Sequence, residues 1–402
     1  ALLQFMEKTQ KNSKGSAVPL YVMHATRDFC RSMTAEESRL VLSKAADWPN
    51  AALGALFQVP HELDAELIGY LKDIDQAIAD RSGDTITRLK VGIIAVLSRS
   101  GDEESMKYLH EIWKREPELR QPISLGLAQQ PDGDNWSYLL HSLSVLEGEV
   151  AKEVFSKLKT VDRRPLHANY YRQVILGGLK LPEADATVAV ELLEHWTAEK
   201  TPAESSDTMS VKLEYWQTWF AEKFPEELAA KLPEPAAEGK WTFSNLADYL
   251  TTGEGAHGDA EQGALVYAKS QCVKCHRFDG NGDTVGPDLS NVQKRFTRKE
   301  ILEAIMFPSH VISDQYRSKQ VLTTDGKTYS GLVVPGSTEE WIVLQANGNK
   351  VAVPQEQVEA MQPSKQSAMP ANLLDTLTLQ EITDLFAYLG SRPKSRVARR
   401  PK

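Results

Sequence analysis

Cysteine is scarce in this chain of 402 residues, which contains only Cys30, Cys272 and Cys275. Three thiols cannot build the dense disulfide framework that stabilises many small secreted domains, so this class of protein is excluded. Cys272 and Cys275 stand three positions apart, which leaves Cys30 without a partner. We interpret Cys30 as a buried thiol that packs as a small apolar side chain.

Long apolar runs and an excess of positive charge are also missing. No run approaches the about 18 apolar residues that a membrane helix needs, so the sequence predicts no membrane span. The formal net charge of −9 argues against a nucleic-acid partner. Residues 392–402 are basic and predict a disordered tail, with a docking arm for an acidic partner as the alternative. The chain starts at Ala1 without a leader, so we expect a product processed or excised from a longer precursor.

Helical periodicity fills the first half of the chain. Apolar residues recur at helical spacing between about Glu36 and Phe224, and short turns with Gly or Pro interrupt them. Paired short helices of this kind predict an α-solenoid of the HEAT type over residues 1–231, which would serve as a scaffold or docking surface. A linker rich in Pro and Ala is predicted over 232–258, with a short capping helix at Trp241–Leu250.

A second domain, mainly helical with a small antiparallel β insertion, is predicted over 259–391. Three helices are expected in it, the second with Thr297 as its N-cap: Ala260–Ser270, Arg298–Phe307 and Leu379–Leu389. Between about 316 and 361 the apolar period changes from helical to alternating. Asp325-Gly326 and Asn347-Gly348 provide hairpin turns there, and four strands are predicted at Ser318–Thr324, Tyr329–Val334, Trp341–Gln345 and Lys350–Val353.

The sharpest chemical signal is the run in which Cys272 and Cys275 are followed at once by His276. Two thiols at this spacing can add across the two vinyl groups of a haem as thioethers, while the adjacent imidazole binds the iron. A closed zinc site needs about four ligands, and the sequence offers no second cysteine pair. A redox dithiol would sit at a strand-to-helix junction of a βαβ unit, whereas this motif follows a helix and precedes a Gly-rich loop. One covalently attached haem c is therefore the favoured interpretation.

An iron held by His276 needs a second axial ligand or an open sixth position. Met369 lies in a loop just before the terminal helix, and its thioether is a soft, neutral ligand that favours ferrous iron. His310, which would lower the reduction potential, is the main competitor. The carbonyl of Pro287 could accept a hydrogen bond from the ring N–H of His276 and fix its tautomer. The predicted cofactor-binding residues are Cys272, Cys275, His276, Pro287 and Met369, of which His276 and Met369 bind the iron.

The run from Gly263 to Leu389 resembles the c-type cytochrome domain of the planctomycete and verrucomicrobial type. The resemblance rests on several specific pieces: Gly263–Tyr267, Cys272–His276, Gly286–Ser290, Ile305–Ser309, Tyr316, Asp325-Gly326, Gly331, Ser367–Pro370 and Asp384–Leu389. It implies His276 as the proximal ligand and Met369 as the distal ligand. It also implies a cytochrome c fold with a β-rich insertion between the haem attachment and the methionine loop. In this family the cytochrome often follows helical repeats and, further upstream, a β-propeller resembling sugar dehydrogenases.

We therefore expect an electron-transfer module that accepts an electron from a donor dehydrogenase and passes it to an acceptor carrier. Iron with both axial positions filled cannot bind substrate, so we expect a redox carrier rather than a stand-alone enzyme. One alternative is a haem-containing subunit or C-terminal fragment of a sugar or alcohol dehydrogenase, with the haem as its built-in acceptor. In others, a labile Met369 opens the iron to a small ligand, or the helical array acts mainly as a scaffold. The c-type resemblance implies maturation outside the cytoplasm, hence a periplasmic or otherwise extracytoplasmic location.

Overall fold

The structure is a computed structural model that describes residues 34–391, except for 46, 48, 57, 61, 82, 203–207, 234–238, 252, 313–315 and 338. The predictions for Cys30 and for the basic tail at 392–402 lie outside the described residues, as does part of the predicted linker. By their contacts the described residues form two compact units. One runs up to Pro165 and includes Lys180–Lys200, and the other combines Leu166–Leu179 with the chain from Thr201 onward. The boundaries between these two units differ from the predicted domain boundaries, which stay predictions.

Helices dominate both units, as the sequence predicts. Their starts follow local capping chemistry: Thr34, Asp64 and Asp102 each accept a backbone N–H from three residues further along. In chain order the helices are α1 Ala35–Leu42, α2 Pro49–Leu56, α3 Ala65–Ala77, α4 Asp84–Ser100, α5 Glu103–Arg115, α6 Arg120–Leu127, α7 Asn135–Ser142, α8 Gly148–Leu158, α9 Ala168–Lys180, α10 Thr187–Thr197, α11 Met209–Lys223, α12 Phe243–Thr251, α13 Ala260–Lys269, α14 Arg298–Met306 and α15 Leu379–Gly390. No helix in the described part of the chain is long and apolar enough to cross a membrane.

The first unit is built from alternate helices that pack against each other. Helix α2 contacts α4, α4 contacts α6, α6 contacts α8, and α8 contacts α10. Each buries one apolar stripe because its large apolar residues recur every three or four positions. In α4 the stripe consists of Ile86, Leu89, Ile93, Ile94 and Leu97. The predicted HEAT-type solenoid stays a prediction, with this alternate packing as its support.

The second unit has its main core where α13 packs on α15 and α12 packs on α14. Most of this core's buried side chains come from these four helices: Leu246, Ala247 and Leu250 from α12, Val266 and Tyr267 from α13, Ile301 and Leu302 from α14, and Ile382, Leu385, Phe386 and Leu389 from α15. Helix α12 corresponds to the predicted capping helix at Trp241–Leu250. It lies inside this core, although the sequence places it in a linker.

A small antiparallel sheet follows α14, as the change of apolar period predicts. Its strands are β1 Lys319–Thr323, β2 Thr328–Pro335, β3 Glu340–Leu344, β4 Lys350–Pro354 and β5 Val358–Pro363, in the spatial order β4-β3-β2-β1-β5. Gly326 and Gly348 adopt φ of 79° and 83° in the two predicted hairpin turns, a conformation that glycine adopts without strain. The four predicted strands form, and β5 is an additional one. Val321, Val343 and Val353 make a separate core for the sheet.

Candidate functional site

A tight turn carries both thiols of the cysteine motif. Helix α13 ends at Lys269, Gln271 takes a left-handed φ of 63°, and Cys272–Lys274 forms one turn of 3₁₀ helix. The N–H of Cys275 donates to the carbonyl of Cys272 at 3.1 Å. Residues three apart on a helical turn project from the same face, so this turn directs the two side chains to one side of the backbone. Both are half-buried free thiols.

Burial raises the pKa of both thiols, that of Cys272 to about 11. Both are therefore neutral at pH 7. A redox-active dithiol instead needs at least one cysteine whose pKa is depressed by nearby positive charge or a helix N-terminus. These surroundings favour the thioether interpretation over the dithiol alternative.

His276 is held by hydrogen bonds at its backbone and at its ring. Its Nδ1 lies 2.9 Å from the carbonyl oxygen of Pro287, which can only accept, so Nδ1 carries the hydrogen and Nε2 keeps its lone pair. Burial lowers the pKa of His276, so the ring is neutral at pH 7. The hydroxyl of Tyr267 donates to the His276 carbonyl at 2.8 Å. The hydrogen bond to Pro287 expected from the sequence is thus present, while the role of both residues toward a haem stays a prediction.

Two glycines leave room for the His276 ring and backbone. A Cβ added at Gly286 would come within 2.9 Å of both Cε1 and Nδ1 of the ring. One added at Gly282, where φ is +108°, would come within 2.1 Å of the His276 carbonyl oxygen. The N–H of Gly286 also donates to the carbonyl of Cys275 at 2.8 Å, which ties this loop to the motif. Two thiols on one turn and an imidazole with an available Nε2 in a glycine cradle fit a covalently bound haem.

Met369 lies in the loop before α15, where two serine hydroxyls hold it. Its N–H donates to Oγ of Ser367 at 3.1 Å, and the N–H of Ser367 donates to Oγ of Ser309 at 3.0 Å. Met369 lines a cavity of about 690 Å³ together with Met306 and His310, among others. The lining of this cavity includes none of the residues 272–287. The structure thus brings Cys272, Cys275, His276 and Pro287 together, and the pairing of Met369 with His276 stays a prediction.

The competing ligand His310 has both ring nitrogens engaged within the protein. Its Nδ1 lies 2.8 Å from a carboxylate oxygen of Glu303, and its Nε2 lies 3.1 Å from the carbonyl oxygen of Lys231. An imidazole binds iron through a nitrogen lone pair, whereas both ring nitrogens of His310 face hydrogen-bond acceptors within the protein. This arrangement favours Met369 over His310 as the second ligand.

Two contacts near the site have no local signal in the sequence. Lys350, the first residue of β4, pairs with Asp283 at 2.8 Å, and the N–H of Asp283 donates to the carbonyl of Val273 in the motif turn. Arg172 of α9 lines the cavity beside Met369 and donates to the carbonyl of His310. Each links residues far apart in the chain, so only an expectation of the tertiary fold could have revealed it.

A comparison with protein families agrees with this geometry. Residues 260–328 match the family model described as cytochrome c, a stretch that runs from α13 through the cysteine motif and α14 to the start of β2. No curated protein matches the chain. The chain therefore contains a cytochrome c domain, which implies covalently bound haem c, electron transfer and redox partners.

Proposed function

We propose that the domain carries one haem, joined by thioethers to Cys272 and Cys275, with His276 and Met369 as the two iron ligands. In this role it relays electrons from a donor dehydrogenase to an acceptor carrier. The observation that carries the proposal is the His276 ring, whose Nδ1 is bound to the Pro287 carbonyl. When bound, the haem would supply an iron that cycles between the ferric and ferrous states.

The protein's contribution is to hold the ligands in place. The Pro287 carbonyl orients the imidazole and makes Nε2 a better donor, as is usual for metal-binding histidines. The motif turn fixes both thiols on one side of the backbone. The serine hydrogen bonds of the Met369 loop limit the freedom of the backbone that carries the thioether. Filled axial positions leave no site for substrate at the iron, which favours a carrier over an enzyme that reacts there.

The finer assignments are proposals as well. Alternate helix packing in the first unit supports a HEAT-type solenoid, for which we propose a docking role. The motif pieces between Gly263 and Leu389 support the planctomycete and verrucomicrobial type. Because c-type cytochromes are typically extracytoplasmic, we propose a periplasmic or comparable location for this one.

Spectroscopy of the matured protein tests the ligands. We expect a reduced-minus-oxidised spectrum typical of haem c and a weak far-red band from methionine bound to ferric iron. Met369→Ala should abolish this band and keep the haem covalently attached. Met306→Ala is the matched control, because Met306 lines the same cavity and should leave the band intact. A far-red band that survives in Met369→Ala would remove Met369 as the ligand.

The attachment has its own test. Replacing both motif cysteines with serine should make the haem extractable by acidified acetone. Haem that stays covalently bound in this variant would contradict the attachment proposal. High-spin ferric iron in the parent protein would instead favour an open sixth position and an enzyme that binds a small ligand.

A further inference from the structure

Arg172 is a buried cation in α9, far upstream of the cysteine motif in the sequence. Its side chain is almost fully enclosed, with the residue 4% exposed. Its Nε donates to the carbonyl of Ala229 at 3.0 Å and its Nη2 to the carbonyl of His310 at 2.9 Å. Burial lowers its pKa to about 10, while the charges of Glu303 and Glu227 act in the opposite direction. The guanidinium therefore stays protonated at pH 7, although enclosing a charge is costly.

A short path of hydrogen bonds leads from Arg172 to Met369. Arg172 holds the carbonyl of His310, and the neighbouring Ser309 accepts the N–H of Ser367 on its Oγ. The hydroxyl of Ser367 in turn accepts the N–H of Met369. These three hydrogen bonds are 2.9 to 3.1 Å long. A shift of the turn after α14 would therefore also shift the loop that carries Met369.

The cavity that Arg172 lines contains no carboxylate among its described residues. Arg172 and Met369 line the same cavity. The other ionisable side chains among the described residues that line it are those of Lys231, His310 and Lys365, and none is acidic. Arg172 is therefore not neutralised by a carboxylate in the cavity wall, and its two described hydrogen bonds go to backbone carbonyls. A cation that spans two separate carbonyls fixes the two chain segments relative to each other.

We propose that Arg172 is a positioning residue for the axial ligand. Through the turn after α14 it holds the Met369 loop in place, and so it slows the dissociation of the thioether from the iron. This inference rests on the proposed ligation by Met369. Arg172→Lys keeps the charge but puts one ammonium nitrogen in place of the two guanidinium nitrogens that reach separate carbonyls, so it should weaken or lose at least one of these contacts. The loop should then open more often.

Cyanide binding to the ferric protein measures this opening, because cyanide takes the sixth position only after the methionine has left. The experiment uses the full, matured chain at saturating cyanide, where the rate of loop opening limits binding. We expect Arg172→Lys to raise the limiting rate about tenfold, the equivalent of one hydrogen bond to a charged group. Arg298→Lys is the matched control. Arg298 also donates to two backbone carbonyls, those of Leu250 and Ala256. It lies at the N-terminal end of α14, whereas the turn that Arg172 holds follows the C-terminal end. The limiting rate of cyanide binding to Arg298→Lys should stay within about twofold of the parent rate.

A double-mutant cycle separates positioning from general support of the fold. Ser309→Ala removes the next link of the path, so its effect on the opening rate should not add to that of Arg172→Lys. Additive effects, or a rate in Arg172→Lys within about twofold of the parent, would overturn the proposal. If Arg172→Lys fails to fold, Ser309→Ala decides alone, since an unchanged opening rate there breaks the path.

Failure of the underlying ligand assignment looks different. Met369→Ala would then keep the far-red band, and the role of Arg172 would fall with the assignment. Loss of the band in Met369→Ala, together with an unchanged cyanide rate in Arg172→Lys, removes the positioning role alone.

Discussion

Replacement of Gly263 by alanine should loosen the pair of helices α13 and α15 at the centre of the second unit, which contains the cytochrome c domain. Gly263 lies in α13, on the side that packs against α15. An added Cβ would stand 2.0 Å from the carbonyl oxygen of Asp384 and 2.6 Å from Cβ of Tyr388. Neither atom can rotate away, since one is backbone and the other is fixed to the backbone of α15. The two helices would have to separate to accept the methyl group.

Two opposing terms set the size of the effect. Alanine is about 1 kcal/mol more favourable than glycine in a helix interior. Overpacking typically costs about 1–3 kcal/mol, and a clash with an immovable carbonyl belongs at the upper end. We therefore expect a net loss of about 2 kcal/mol, or a melting temperature lower by about 4–8 °C for a unit of this size.

Thermal unfolding followed at the haem Soret band reports on this unit. Gly69→Ala is the control, because Gly69 in α3 has no heavy atom within 4 Å of the added Cβ and should only gain helix propensity. Far-UV circular dichroism should show that its own unit is slightly stabilised. A Gly263→Ala protein that melts at or above the parent temperature would refute the packing argument.

Three further predictions concern the site and its supports. Gly286→Ala should push the His276 ring from its place, because the new Cβ lies 2.9 Å from two ring atoms, and high-spin ferric iron should appear in the absorption spectrum; an unchanged low-spin spectrum would contradict this. Glu381, whose pKa is held at about 2 by a lysine ion pair and by an N-cap hydrogen bond, contributes stability above its ordinary pKa of 4.5 that is lost as pH falls towards 2. Glu381→Gln should therefore remove part of the acid sensitivity of Soret-monitored unfolding, and an unchanged acid dependence would count against the pair. Lys350→Gln breaks a solvent-exposed pair with Asp283, so it should cost less than about 1 kcal/mol and leave the far-red band intact; loss of the band would show that the sheet helps hold the ligands.

Sequence predicts best where the signal is local. Helix α14 starts at Arg298 as expected, because Thr297 and Glu300 form a capping box within one turn. The turns at Gly326 and Gly348 need only two residues each to specify a hairpin. The contact of His276 with Pro287 spans eleven residues of one loop, and the Gly-Pro sequence points to it.

Long-range pairing explains most of what the sequence does not predict. Strand β5 forms the edge of the sheet because it pairs with β1. Strand β1 lies more than thirty residues earlier in the chain. Its register irregularity and half-exposed side chains weaken the alternation that would identify a strand. The contacts of Arg172 with His310 and of Lys350 with Asp283 depend on how distant segments fold together. Neither the charge pattern nor the residue spacing of the sequence predicts these two contacts.

Fragments of the chain would show how much of it the cytochrome c domain needs in order to fold. A fragment of residues 259–391 lacks α12, whose Leu246 and Leu250 are essentially fully buried in the main core. Loss of each such leucine costs about 2–5 kcal/mol, so together they rival the 5–15 kcal/mol total that is typical of a domain. We expect a fragment of residues 240–391 to unfold cooperatively at the Soret band, and 259–391 to lack such a transition. Because 240–391 still lacks Arg172, cyanide should bind to it as fast as to the Arg172→Lys full chain. Equal and cooperative melting of both fragments would show that α12 is dispensable, and slow cyanide binding to 240–391 would show that the methionine loop closes without α9.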